Sequence, residues 1–383
     1  MNDFIFKYPG EDEESYIKRK AYFIRILKWR LNYGDKSVEK KLSNIKPIKK
    51  EEKAEIDGFW NQYFCSDLHD KFIDYRYYDL YNKVLKDDEQ LCQYIPDTFY
   101  YAFIDEYYTN PQHSNPFDDK NFYDLYFHDV NKPRTIFRKW NNLYLDEEYN
   151  EITYDEAICK AKEYGKIILK IGKYSYWGYG VKFWDANRDD ISILNDFLQA
   201  SSSIVCQEVI KQHPIMALLN PCSVNTIRMV TFYFNNRVHL LSTCFRLGID
   251  GAVIDNYSSG GIVCGVEPKG QLKNIGYDIS ANTYLKHPQG GEFSQVIIPN
   301  YSGCVDFVLF LAKRFTSITK LISWDIAVDE KGQPMLVEFG VSNGQVDLHQ
   351  LCNGPIFGDL TDDVLKDVFN NSYTLKSIIK SLQ

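Results

Sequence analysis

The stretch LISWDIAVDEKGQPMLVEFG, residues 321–340, sets two acidic side chains where their pairing has chemical consequences. In the first apolar run Ser323, Asp325, Ala327 and Asp329 alternate with Ile322, Trp324, Ile326 and Val328. In the second, Leu336, Glu338 and Gly340 alternate with Met335, Val337 and Phe339. A turn over Glu330–Gln333 joins two strands, and pairing Asp329 with Pro334 carries the register to Asp325 opposite Glu338, with Cβ atoms about 4.5–5.5 Å apart. Two carboxylates at that range repel unless something neutralises them. One or two Mg²⁺ ions do so, because hard cations take carboxylate oxygens and bridge to phosphates. Contact with water, or pairing with Lys or Arg, answers the same need.

Other residues suit phosphate chemistry. KIILKIG reads as a strand ending at Lys170, and the loop after it carries Gly172, Gly178 and Gly180. A lysine before a glycine-containing loop can hold and cover phosphates; a surface lysine beside a hairpin turn is the plainer reading. In IVCQEVIKQHP, a strand followed by Glu208, Val209 and Ile210 can present backbone groups to an adenine, or simply be a core strand. Arg228 and Arg246 lie inside apolar strands, where a guanidinium is costly unless it meets a carboxylate or phosphate. A two-residue turn at Asn235–Asn236 puts them on opposite faces; a bulge or a longer loop brings them together. Asn256 and the pair Gly260–Gly261 follow. His213 and His349 read as structural donors before catalysts.

The elements that must position these residues make an α+β chain with antiparallel sheets. Residues 1–95 form a helical N-terminal segment, in which ESYIKRKAYFIRILKWRLNYG has helical spacing closed by Gly34. Residues 96–150 hold a helical IPDTFYYAFIDEYY, a Pro- and Asn-rich loop and a strand–turn–strand around Asn141–Asn142. From 151 to 360 helices alternate with strands: Thr153 and Glu156 spell a capping box, and TIRMVTFYFNNRVHLLSTCFRLG is a long hairpin. Residues 361–383 read as a helical tail.

The 383 residues suffice for two or three packed units. A net charge of −8 speaks against general nucleic-acid or membrane-surface binding but allows a local positive pocket. Nine Cys without a CxxC pair or metal-ligand spacing read as buried reduced thiols. No apolar run approaches the ~20 residues of a membrane span, and no signal peptide is evident, so a cytoplasmic protein is expected. The 29 Tyr and 24 Phe carry no functional signal.

CSVNTIRMVTF, FRLGIDGAVIDNYSSGGI, HPQGGEF, ISWDIAVDEKGQPMLVEFG and DLHQ, with the upstream YIPDTFYYAFIDEYY and DDK, resemble the sugar-transfer-associated ATP-grasp family over roughly residues 90–360. The resemblance implies an ATP-grasp fold, two α+β lobes clasping ATP with Mg²⁺, behind an N-terminal helical segment. It divides the chain into that segment (1–95), a pre-ATP-grasp region (96–150), the ATP-grasp domain (151–360) and the tail (361–383). By motif, Lys170 contacts ATP phosphate, and Gln207, Glu208, Val209 and Ile210 form the adenine hinge. Asp325 and Glu338 bind Mg²⁺, and Arg228, Arg246 and Asn256 line the acyl-phosphate region. The family commonly reads Glu-x-Asn at the second metal strand; here Gly340 stands in place of that Asn, with Asn343 and Asp347 as substitutes. The implied reaction is carboxylate–amine ligation through an acyl phosphate, joining a small carboxylate to an amine or sugar-linked acceptor in surface polysaccharide synthesis. A kinase acting on a sugar hydroxyl and a non-catalytic nucleotide-binding subunit are the alternatives.

Overall fold

Helix Glu13–Glu39 begins at Asp12, whose carboxylate accepts from the backbone N–H of Ser15 at 2.8 Å. It runs straight through Gly34, where the spacing predicts its end. A Cβ at Gly34 would lie 2.7 Å from the backbone nitrogen of Thr98, so this glycine serves close approach of two helices and not a cap. After helices Lys50–Trp60 and Tyr75–Tyr81, a helical run spans 97–109 and includes a π turn at Tyr100–Ile104. The computed structural model describes the whole chain apart from residues 1–6, 8, 65–66, 174–179, 253, 258–259, 342–343 and 383.

The aromatic surplus has a packing role. Trp60, Phe64, Phe72, Phe99 and Phe103 fill a core between the N-terminal helices, with Trp60 and Phe99 ring centroids 4.9 Å apart. The same core continues to helix Thr361–Asn371, through Phe369. Helix Tyr373–Leu382 follows, where a helical tail is expected.

Two antiparallel sheets make up the rest. The smaller contains β1 (Thr135–Trp140), β2 (Leu143–Leu145), β3 (Glu151–Ile152), β4 (Lys166–Ile171), β5 (Val181–Asp185) and β6 (Ser203–Glu208), in the order β3-β2-β1-β6-β4-β5. Helices Tyr154–Tyr164 and Ile191–Ala200 bury their apolar stripes on it. The first is capped as its sequence predicts, by Thr153 and Glu156, and ends at Gly165 with φ +80°.

The larger sheet contains β7 (Ile227–Phe234), β8 (Arg237–Leu247), β9 (Ile262–Val266), β10 (Leu272–Tyr277), β11 (Thr283–Tyr284), β12 (Leu321–Val328) and β13 (Pro334–Gly340), ordered β11-β10-β9-β8-β7-β12-β13. Sequence patterning misses β9 to β11: they are short, and two of them carry a glycine. Helix Tyr301–Lys313 covers one face. The N-terminal helices and helix Val346–Asn353 cover part of the other, and the uncovered remainder of that face bears the charged residues described next. Among the described residues no helix is long and apolar enough to cross a membrane.

Candidate functional site

Asp325 and Glu338 are direct cross-strand partners, as their spacing predicts. The turn differs from expectation. Val328, not Asp329, pairs with Pro334, and a bulge between Asp325 and Ile326 restores the expected pairing further along. Asp329 caps the turn instead, its Oδ1 accepting from the N–H groups of Lys331 and Gln333 at 2.9 and 2.8 Å.

A second bulge decides the arginines. Asn235 and Asn236 form the two-residue turn with φ +48° and +59°. Val230 pairs with Ser242 but Thr231 with Leu240, which leaves Leu241 as an extra residue in β8. Arg228 therefore faces Cys244 rather than Thr243, and Arg246, two residues further, shares its face. Both reach Asp325. Arg228 grips it with Nε on Oδ1 and Nη2 on Oδ2 at 3.1 Å, and Arg246 Nη2 donates to Oδ2 at 2.7 Å. Burial opposes ionisation of Asp325, but the two guanidinium groups outweigh it and hold the carboxyl below its ordinary value.

Arg246 is itself held from behind. Nε and Nη2 donate to Thr226 Oγ1 at 3.0 and 2.9 Å. Asp255 accepts from the N–H and hydroxyl of Thr226 at 2.8 and 2.5 Å and lies 3.7 Å from Arg246. Asp255 is thus the residue of the DN pair whose side chain meets the arginine. Its neighbour Asn256, expected to line this region, accepts from Gly261 N–H through its backbone oxygen at 3.2 Å.

Glu338 is neutralised from elsewhere. Lys120, buried, places Nζ 2.9 Å from its Oε1. Lys120 comes from the DDK motif, whose backbone is tied to the smaller sheet: Lys120 N–H donates to Gly172 O at 2.9 Å, and Asn121 Nδ2 to Ser203 Oγ at 2.7 Å. A Cβ at Gly172 would fall 2.2 Å from Asn121 Nδ2, so only glycine admits this contact. Beside it, burial raises the Asp118 carboxyl to about 7, with Lys120 opposing and Glu338 adding to the rise.

Lys170 sits in β4 between Val181 and Val205 and is buried. Burial lowers its ammonium to about 8; Glu338, Asp325 and Asp255 pull the other way, and Lys120 repels it. Lys120, Lys170, Arg228 and Arg246 thus bring four cationic side chains toward three carboxylates, Asp325, Glu338 and Asp255. Four cations gathered in one place suit an anion such as a polyphosphate.

The expected adenine hinge lies where β6 leaves the smaller sheet. Gln207 is in the ladder, opposite Thr135 and Ile168. Glu208 pairs with Arg134, accepting its N–H on Oε1 at 2.9 Å. Val209 and Ile210 fall between the sheets, just before Lys211 O accepts from Glu330 N–H and His213 N–H donates to Val328 O. None of the backbone bonds of the described residues engages Val209 or Ile210, which leaves their N–H and C=O groups for a base edge.

The metal reading meets a less favourable donor set. Both oxygens of Asp325 are taken by guanidinium groups. Gly340 has no side chain to offer, Asn343 lies outside the described residues, and Asp347 is committed to Lys41 at 2.9 Å. Among the described residues no group of three or more His, Cys, Asp or Glu is arranged to hold a metal ion. As folded, these side chains do not fit a free divalent cation. His213 Nδ1 accepts from Ile215 N–H at 3.2 Å, and buried His349 lies 2.7 Å from Ser242 Oγ; both have structural partners.

Sequence reasoning missed Lys120, Asp118, Thr226 and Asp255 as site residues. Each stands inside or beside a quoted motif, but nothing local shows that DDK crosses to the far sheet.

Residues 191–364, less than half of the chain, match the family model described as sugar-transfer associated ATP-grasp. The match starts later than the motif resemblance, so YIPD and DDK lie outside it. No curated protein matches the chain in sequence. Among solved structures it is similar to an L-amino acid ligase from Bacillus licheniformis, with 14% identity over 66% of this chain and 47% of that one and a TM-score of 0.38. A D-alanine–D-alanine ligase from Bacillus anthracis gives 14% identity, 71% coverage of both chains and 0.37. The ATP-grasp ligase PsnB, complexed with minimal precursor, Mg and ADP, gives 12%, 68% and 62% coverage, and 0.40. The chain spans about half the length of the first and under two thirds of the last. These likenesses are distant, and the family model covers only the part of the chain that holds the larger sheet and the end of the smaller one.

Proposed function

We propose that this chain is an ATP-dependent carboxylate ligase. ATP phosphorylates a substrate carboxylate, giving an acyl phosphate and ADP, and an amine then displaces phosphate. The observation that carries the proposal is the convergence of Lys120 and Lys170, anchored on one sheet, with Arg228 and Arg246, anchored on the other. Phosphoryl transfer needs little covalent help from the protein and much charge stabilisation. Four cations from two lobes supply it around the terminal phosphates. Val209 and Ile210, with Gln207 and Glu208, form the base-binding hinge, and Asn256 borders the acyl-phosphate region beside Asp255. Mg²⁺ bound together with nucleotide would add to the neutralisation of phosphate charge, held by phosphate oxygens and water, since Asp325 and Glu338 are already engaged by cations. The description of the matched family, sugar-transfer associated, supports an acceptor linked to a sugar; surface polysaccharide synthesis in the cytoplasm is the setting we propose for it.

A phosphate-release screen over amino acids, other small carboxylates, amines and amino sugars tests this. A ligase releases phosphate only when acid and acceptor are both present. ADP without free phosphate indicates a kinase acting on a hydroxyl, and nucleotide binding without turnover under every pairing indicates a non-catalytic subunit.

A further inference from the structure

Helix Glu13–Glu39 carries an apolar stripe longer than the core it packs on. Ile17, Ile24, Leu31 and Val38 recur every seven residues and so lie along one side of the helix. Val38 is fully buried and Leu31 partly buried against the core, but Ile24 is 39% exposed and Ile17 56%. Tyr22 and Trp29, also seven residues apart, are 49% and 56% exposed. They border the other edge of the outward surface, and Ala21, Arg25 and Lys28, all exposed, lie between the two stripes. From Ile17 to Trp29 this surface is about 18 Å long. Four large apolar side chains gathered on one stretch of helix differ from the scattered exposure that any folded chain shows.

The charge on the same stretch is one-sided. Residues 15–34 hold six Lys and Arg and no Asp or Glu, in a chain whose net charge is −8. Two of the six turn inward: Arg19 to Glu11, and Arg30, whose Nη1 donates to Tyr101 O at 3.0 Å. Lys18, Lys20, Arg25 and Lys28 are exposed. Lys18 meets Glu14 at 2.6 Å, but that pair is about three-quarters exposed on both sides and holds the lysine only weakly. The overall acidity of the chain therefore does not describe this helix, where positive charge is concentrated.

This pattern selects among occupants. A second copy of the helix brings the same cations and, over residues 15–34, no carboxylate to meet them. A nucleic acid rewards the cations but gives Ile17 and Ile24 nothing to bury against. An anionic lipid surface uses every feature. Isoleucines enter the boundary between headgroups and acyl chains, Trp and Tyr rings rest at headgroup level, and Lys and Arg stems reach along the surface to lipid phosphates. The C-terminal half of the helix stays anchored through Leu31, Val38 and the Gly34–Thr98 approach, so the docking half is held ready.

We infer that the N-terminal half of helix Glu13–Glu39 docks the protein on an anionic lipid surface, lying in the headgroup plane with Ile17, Tyr22, Ile24 and Trp29 inserted. This inference does not depend on the ligase reading.

The test is co-sedimentation of the full chain with vesicles of phosphatidylcholine alone and of phosphatidylcholine mixed with phosphatidylglycerol. The protein should pellet with the mixed vesicles, stay in solution with phosphatidylcholine, and be released as ionic strength rises. The triple variant Lys18→Gln, Arg25→Gln, Lys28→Gln should weaken partition about a hundredfold, at about fivefold for each basic residue near such a surface. The triple variant Ile17→Ser, Ile24→Ser, Trp29→Ser keeps every cation and should still weaken it at least tenfold. Both variants change exposed positions, and an unchanged Tm without vesicles shows that the fold is kept. Absence of wild-type binding to the mixed vesicles overturns the inference. Full binding by the Ile17, Ile24, Trp29 variant also overturns it, because charge alone then accounts for the attraction. Displacement from the vesicles by polyuridylate at low concentration marks a nucleic-acid surface instead. A lipid-free dimer that the same apolar variant abolishes marks a second copy as the occupant, and either result contradicts the lipid assignment.

Discussion

Asp325 and Glu338 stand opposite each other on adjacent strands, yet their charges are met from different parts of the molecule. Asp325 is gripped by two arginines of its own sheet, and Glu338 by a lysine whose segment is bonded to the other sheet. The Lys120–Glu338 pair therefore links the lobes at the point where phosphates are expected, and the arginine grip keeps two cations in place before any nucleotide arrives. Pre-placed charge of this kind is what a phosphoryl-transfer site needs, because little then has to reorganise during reaction.

Replacing Asp325 with Asn leaves two buried guanidinium groups without their shared partner. Breaking a buried pair in this way costs about 3–5 kcal/mol, and urea unfolding at pH 7 should read a loss of that order together with lost turnover. The pH dependence has a definite sign. The folded carboxyl titrates below its ordinary value, so the pair stabilises the fold above about pH 4 and the contribution fades as pH falls through the folded value. The variant should lose that acid dependence.

Lys170 carries a pH signature in binding. With its ammonium near 8, it is cationic at neutral pH and loses its charge above. The affinity of ATP, measured by calorimetry between pH 7 and 10, should fall above about pH 8, approaching tenfold per unit. Lys170→Arg should flatten the curve, since a guanidinium stays charged. In the absence of ATP the trend in stability is opposite: the folded state disfavours the buried ammonium, so stability rises as pH climbs from about 8 toward 10.5.

Lys120→Met removes the inter-lobe pair and one phosphate-facing cation. A charge-assisted bond of this kind is worth about 1.5–3 kcal/mol, so ATP affinity should drop between roughly tenfold and a hundredfold. Asp118 provides an independent readout. Lys120 opposes the burial that holds this carboxyl near 7, and its loss should send the titration higher, visible in the carboxyl carbon resonance.

Magnesium should bind weakly alone and tightly with nucleotide, because Asp325 has no oxygen to give while both arginines hold it. Calorimetry with MgCl₂ in the absence of ATP is expected to show no saturation at millimolar concentrations. A tight site under those conditions would mean that ligands outside the described residues complete it.

The alternating apolar pattern of residues 321–340 placed Asp325 and Glu338 opposite each other, since one face of the hairpin had to be buried, and the structure keeps that pairing. The arginines were undecidable from the same rule. Asn235–Asn236 announces a two-residue turn, and nothing in VHLLSTCF announces that Leu241 is extra; the bulge arises from packing across the strand. Gly34 looks like a helix terminus because its partner, Thr98, is 64 positions away in sequence. Lys120 shares that difficulty: its role comes from a residue more than 200 positions distant, Glu338, which local periodicity does not reach.

The most direct measurement is the crystal structure of the chain soaked with Mg²⁺ and a non-hydrolysable ATP analogue. The account predicts the base against Val209 and Ile210, and the terminal phosphates within hydrogen-bonding distance of Lys120, Lys170 and at least one of Arg228 and Arg246. A nucleotide bound elsewhere, or an unfilled cleft at saturating ligand with the Arg228–Asp325–Arg246 grip unchanged, would contradict it.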